Sequence, residues 1–349
     1  MTTGLAALLL RRVALAAVAL TVLLAPRTRG APRVLGFRVA QAFEHDTSAF
    51  TEGLLFRDGD GTLLESTGLA GQSLLREFRV DERAGTLEEL RSVRLPDQHF
   101  GEGIAVLGGQ IVALTWKSGK AHLVDRHSLE LREALELDPR IKEGWGLTQS
   151  PDREALLMSD GSSVLHVLAR RGDRLEAVAH LPVHDCANDM PFVAGINELE
   201  LVPRVLSHPR PPRHVRGAPP GVEELARRPG GDNDTDAAPA DLVWGNIITT
   251  MCVALIDPRS GSVEAWLLLD GIYQGWDAFN KVANGIAYRA MDDSLWVTGK
   301  DWSKLFKIEL IEHEGPVDIR EKCTTKWSSF SYDVNAALGK PPDSPCHAT

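Results

Sequence analysis

A short signature recurs along this chain and limits what it can fold into: a Gly or Asn beside an apolar pair where an apolar strand begins. It stands at Glu52-Gly53-Leu54-Leu55, Glu102-Gly103-Ile104-Ala105, Gly144-Trp145-Gly146-Leu147, Asn197-Glu198-Leu199-Glu200 and Asn284-Gly285-Ile286-Ala287. The first steps are 50 positions, from Gly53 to Gly103, and 43, from Gly103 to Gly146. Between the signatures run short alternating stretches bounded by Gly, Pro and Asp, such as 62–67, 110–115, 163–168 and 294–298. That is the patterning of strands, and helical periodicity is scarce. Repeats of about 40–50 residues made of short strands suggest propeller blades. Five starts predict an all-β chain folded as a five-bladed β-propeller.

Residues 204–240 interrupt the spacing. They are rich in Pro, Arg and Gly with almost no apolar content, the composition of a disordered insertion in the fourth blade. Removing these 37 residues brings that unit back near the common length. A propeller that fails to close leaves exposed sheet edges. The last unit supplies strands at 284–287, 294–298 and 305–310, so 34–39 is expected to add the outer fourth and close the ring. The catalytic propeller domain then spans 31–312, between an N-terminal segment 1–30 and a C-terminal tail 313–349 without an assigned role.

Segment 1–30 has the basic pair Arg11-Arg12, an apolar run over 13–25, and small residues around Gly30-Ala31. This reads as a secretory signal peptide, with an uncleaved anchor as the alternative, and the run is short of the ~20 residues that span a bilayer. Four cysteines, Cys186, Cys252, Cys323 and Cys346, form an even set suited to an oxidising compartment. All three connectivities stay open, including a local loop from Cys323 to Cys346. The 65, 70 and 22 residues that lie between successive cysteines match no zinc pattern. Asn233-Asp234-Thr235 is a glycosylation acceptor if the chain is exported. These features place the chain in the secretory pathway, as a secreted, endomembrane-lumen or vacuolar glycoprotein with disulfide bonds. It is expected to be monomeric and off the membrane once the signal is removed. A net charge of −10 over 349 residues argues against nucleic acid as the main partner.

In a propeller the innermost strands line one central channel, so equivalent positions converge in space. Phe50-Thr51-Glu52-Gly53 and Phe100-Gly101-Glu102-Gly103 set two carboxylates at the same place in adjacent units. Trp116, Trp145, Asn197 and Lys300 fall in or just after equivalent strands of the others. Two carboxylates in one partly dry funnel cannot both ionise freely, so one becomes a proton shuttle near neutral pH. Tryptophans add flat apolar walls, an indole donor and an attraction for ammonium groups. Each residue alone has a plainer reading: a Glu beside Gly as a turn residue, a Trp as blade packing, Lys300 as a solvated strand end, Asn197 as a turn cap. Only their co-location raises the functional reading above its parts.

The same strings, together with Ser159-Asp160-Gly161 and Val297-Thr298-Gly299-Lys300, appear in an order that resembles the plant and bacterial glutaminyl-peptide cyclotransferases (glutamine cyclotransferases), over roughly residues 40–310. The resemblance implies a five-bladed propeller that converts N-terminal glutamine of peptides or proteins to pyroglutamate. Ammonia is released, and no metal or other cofactor is needed. It implies Glu102 as the acid/base, and Phe50, Glu52, Phe100, Trp116, Trp145, Asn197 and Lys300 around the substrate. Plant members often carry Gln where this chain has Glu52. One departure stands out: Gly245-Asn246-Ile247-Ile248 replaces a run that usually reads Ala-Asn-Val-Trp, so Ile248 stands where a Trp lines the pocket. Trp244 cannot stand in, since four strand positions put it about 13 Å away.

The bond changes define what such a site must do. The α-amine attacks its own γ-amide carbon, and the leaving nitrogen must gain a proton. One carboxyl group can relay that proton, while Lys300 or Asn197 steadies the oxyanion. Two other classes of function fit the composition. A propeller lactonase would gather Glu52, Glu102, Asn197 and Asn284 around calcium, where Lys300 would repel the cation. A degenerate propeller would bind peptides without turnover.

Overall fold

The computed structural model describes residues 30–57, 59–203, 241–326 and 345–346. Residues 1–29 of the expected signal segment, the insertion 204–240 with its Asn233-Asp234-Thr235 triplet, and most of the tail lie outside these residues. Strands run from Arg33 to Glu312 and group into antiparallel four-stranded meanders. The first is β2 (Thr51–Phe56), β3 (Leu63–Thr67), β4 (Leu74–Asp81) and β5 (Thr86–Arg94). The second is β6 (Gly101–Leu107), β7 (Gln110–Thr115), β8 (Lys120–Asp125) and β9 (Leu131–Leu137). The third is β10 (Leu147–Gln149), β11 (Leu156–Met158), β12 (Val164–Arg171) and β13 (Arg174–Pro182). The fourth is β14 (Ile196–Val202), β15 (Leu242–Ile247), β16 (Cys252–Ile256) and β17 (Val263–Leu268). The last combines β18 (Ala283–Arg289), β19 (Ser294–Gly299) and β20 (Lys304–Glu312) with β1 (Arg33–Glu44) from the start of the chain.

The N-terminal strand is longer than the sequence pattern indicates. It runs antiparallel to β20 from Leu35 opposite Glu312 to Glu44 opposite Lys304. Its first residues also pair in parallel with β17, Arg33 opposite Ala265. This seam fuses the fourth and last meanders into one eight-stranded sheet, and a parallel β9–β13 seam fuses the second and third.

The recurrent glycines have a steric cause. Gly103 donates its N–H to the Trp145 carbonyl at 2.8 Å, and a Cβ on Gly103 would fall 2.8 Å from that same oxygen. A Cβ on Gly146 would fall 2.7 Å from the Cα of Glu198. Successive innermost strands thus meet backbone to backbone, and any side chain at these points would force them apart. The contacts run β2 to β6, β6 to β10, β10 to β14, β14 to β18 and β18 back to β2.

Apolar clusters fill each interface between neighbouring meanders. Leu64 and Leu75 meet Ile104 and Ile111; Val112 and Leu114 meet Leu156 and Met158. Leu157 and Leu165 meet Leu199 and Val243; Trp244 and Leu255 meet Ile286 and Val297; Trp296 and Phe43 meet Phe56 and Phe78. Trp244, Trp266, Trp296 and Trp302 are wholly buried in these seams, so for them packing is the right reading. Each such side chain removed from water contributes on the order of 2–3 kcal/mol.

The cysteines pair Cys186–Cys346 and Cys252–Cys323. Cys323 and Cys346 therefore do not close a loop on each other. Cys323 ends the short helix α1 (Ile319–Cys323), whose first turn is capped by Asp318 accepting from the Glu321 N–H. Both bridges tie the tail back to the body.

Candidate active site at the start of the innermost strands

Glu52, Glu102, Asn197 and Asn284 all sit near the first residues of β2, β6, β14 and β18. In each strand the pairing register slips there: between Thr51 and Gly53, Gly101 and Ile104, Ile196 and Leu199, and Ala283 and Ile286. A bulge re-aims the side chain it carries. Four bulges at equivalent positions turn four polar side chains out of the regular alternation. Trp145 lies two residues before β10, while Trp116 and Lys300 directly follow β7 and β19. Trp116 N–H donates to the Phe100 carbonyl at 3.0 Å, and Lys300 N–H to the Val282 carbonyl at 3.0 Å, which ties both residues to the innermost strands.

The two glutamates meet. Glu52 is 1% exposed and Glu102 6%, and each carboxyl group acts on the proton affinity of the other, so the two titrate as a pair. Lys300 Nζ donates to Glu52 Oε1 at 2.7 Å, and Asn284 Nδ2 donates to Glu52 Oε2 at 2.9 Å. Burial pushes Glu52 above the usual carboxylate range, with Lys300 pulling against it. Glu102 is pushed well above that range, first by burial and then by the charge of Glu52. Lys300 and Asn284 thus favour the charge on Glu52, while burial and that charge favour the proton on Glu102.

Rings border this pair. Lys300 Nζ lies 4.5 Å from the centre of the Phe50 ring. Phe50 meets Phe100 edge-on at 6.0 Å, and Phe100 meets Trp116 at 5.6 Å. Trp145 packs on Gly161, where a Cβ would fall 2.6 Å from the indole. Asn197 is buried, and its backbone carbonyl accepts from Ser159 Oγ at 2.6 Å. Ile248 is buried on the same rim: its N–H donates to the Gly195 carbonyl and the Gly195 N–H to the Gly161 carbonyl, both at 2.9 Å. Thr325 of the tail lies over Gly195, where a Cβ would fall 2.9 Å from it. Thr249 Oγ1 and Thr325 Oγ1 are 3.1 Å apart.

Three acidic residues of this region escaped the sequence reading. Glu198 is wholly inside, and its carboxyl group accepts from the N–H groups of Leu54 at 3.3 Å and Ile286 at 3.0 Å. It spans from β14 to β2 and β18. Glu200 does the same for the Tyr288 N–H at 2.7 Å. Innermost strands have one edge without a sheet partner, and these carboxyl groups satisfy it. Burial and the neighbouring Glu200 push Glu198 well above the usual range. The third is Glu143, whose Oε2 accepts from both Trp116 Nε1 at 2.7 Å and Trp145 Nε1 at 3.1 Å.

Comparison with known proteins fits this arrangement. The family described as Glutamine cyclotransferase matches residues 13–207 and 233–310. The chain belongs to that family. The break in the family match, 208–232, falls within the insertion 204–240. A glutaminyl-peptide cyclotransferase of Arabidopsis thaliana is 30% identical over 282 residues, covering 80% of this chain and 72% of the relative. The solved structure of Myxococcus xanthus glutaminyl cyclase aligns with a TM-score of 0.59 at 24% identity, over 81% of this chain and 100% of that one. At that identity the likeness bears on the fold alone, which is all-β.

Proposed function

We propose that this member of the family is a glutaminyl-peptide cyclotransferase, cyclising N-terminal glutamine of peptides or proteins to pyroglutamate with release of ammonia. The observation that carries this is the buried Glu102–Glu52 carboxyl pair beside Lys300 and a row of aromatic rings. The matched family and the Arabidopsis relative support the same activity.

In this reading the glutamine side chain curls between Phe50, Phe100, Trp116 and Trp145. Holding it so trades conformational freedom for ring closure. The neutral α-amine bonds to the γ-amide carbon. Glu102 gives its proton to the amide nitrogen, the carbon–nitrogen bond breaks, and ammonia leaves. Glu102 then takes the proton from the former α-amine and ends as it began. An α-amine is mostly charged below about pH 8, so the acid must stay protonated up to that range. Burial and the charge of Glu52 favour that state. Lys300 or Asn197 stabilises the oxyanion, worth about 3–4 kcal/mol for a single donor. A calcium ion on Glu52 would have to displace the Lys300 ammonium, which weighs against the lactonase alternative.

The scaffold for this chemistry is a five-bladed propeller closed by β1, a reading supported by the five meanders among the described residues and the cyclic contacts of their innermost strands. The two disulfides support passage through an oxidising compartment, in keeping with a secretory signal at 1–30. The test is mass spectrometry of a Gln-initiated peptide incubated with the purified protein, with and without chelator. Loss of the mass of ammonia in both arms is expected. An intact peptide, or loss only without chelator, contradicts the proposal.

A further inference from the structure

Glu143 lies in the connection between β9 and β10, just before the Gly144-Trp145 pair. It is 7% exposed. One of its oxygens, Oε2, takes two indole donors that belong to different meanders: Trp116 Nε1 at 2.7 Å and Trp145 Nε1 at 3.1 Å. The other, Oε1, faces Lys117 Nζ at 3.1 Å, and that ammonium lies 4.0 Å over the Trp116 ring. The backbones are joined as well, since the Gly144 N–H donates to the Trp116 carbonyl at 2.9 Å. Two rings of the aromatic row therefore hang on one carboxylate oxygen. A buried indole N–H needs an acceptor, and a charged acceptor holds it more tightly than a neutral one.

Resting on the cyclotransferase reading, we propose that Glu143 is a positioning residue: it fixes the separation of Trp116 and Trp145, and hence the width of the slot that takes the glutamine side chain. It also acts at a distance on the proton relay. Its negative charge is among the influences that hold Glu102 protonated, after burial and Glu52. A purely structural residue would not be placed to do both.

Two variants separate geometry from charge. Glu143→Ala removes both indole acceptors. Its KM for a Gln-initiated dipeptide should rise about tenfold or more, the scale of a lost hydrogen bond to a charged group, with a smaller change in kcat. Glu143→Gln keeps an acceptor oxygen but drops the charge. It should keep most of the affinity and shift the basic limb of the pH–rate profile to lower pH. The indole N–H resonances of Trp116 and Trp145, assigned by single Trp→Phe variants, should move upfield together in Glu143→Ala. A wild-type pH profile in a folded Glu143→Gln, or a wild-type KM or unmoved indole resonances in a folded Glu143→Ala, would overturn the proposal. Should Glu143→Ala not fold, the Glu143→Gln pH profile decides. The resonances read the indole contacts without turnover, so an inactive wild-type protein would refute the cyclotransferase reading while leaving this geometry to be judged by itself.

Discussion

Lys300 Nζ stands 2.7 Å from Glu52 Oε1, an ion pair between residues 248 positions apart that joins β2 to the turn after β19. Both partners are buried. Removing one charge of such a pair leaves the other stranded, which costs about 3–5 kcal/mol. Lys300→Met should therefore destabilise the protein by that amount in urea unfolding at neutral pH. The loss should shrink near pH 4, because Glu52 can then escape its burial by taking a proton. An equal loss at both pH values would contradict the pairing.

Glu52→Gln removes the charge that helps keep Glu102 protonated. If Glu102 acts as the acid, activity falls on the basic side as it ionises. The basic limb of ammonia release should therefore move to lower pH in Glu52→Gln, with activity retained at the optimum. A profile that stays in place would show that the two carboxyl groups are not coupled.

Glu198 yields a stability prediction with a definite sign. Its folded proton affinity is raised above the ordinary value of 4.5. A group shifted this way contributes stability that is complete below that value and is lost as pH rises through the raised one. Glu198→Gln stays neutral at every pH and lacks that slope. The stability advantage of wild type over Glu198→Gln should thus be complete below pH 4.5 and fall as pH rises from there through the raised value. Glu198→Ala strands the Leu54 and Ile286 N–H groups and should cost about 1–3 kcal/mol. A pH-independent difference for the Gln variant would sink the assignment.

The Cys252–Cys323 bridge closes a separation of 71 residues and brings Thr325 onto the rim beside Ile248. Replacing both cysteines with serine should lower stability by about 2–5 kcal/mol, measured by urea unfolding. No change would mean that the tail is held by its other contacts alone.

Much of this was legible in the sequence, for physical reasons. Gly53, Gly103 and Gly146 recur because successive innermost strands touch there, and that contact is the repeat itself. Glu52 and Glu102 were legible because each occupies the same place in its unit. What stayed hidden depended on partners from other strands. Glu198 looks like any polar residue in an alternating run until β2 and β18 bring their N–H groups to it. Glu143 looks like a solvated charge until two indoles from separate meanders converge on it. The disulfide map was equally out of reach, since spacing alone carries no information on how the tail returns to Cys186.

The proton relay assigned to Glu102 is tested most directly by Glu102→Gln, which keeps the shape of the side chain and removes its acid. Ammonia release from a Gln-initiated peptide should fall to background in a variant whose unfolding remains cooperative. Substantial turnover by that folded variant would contradict the account.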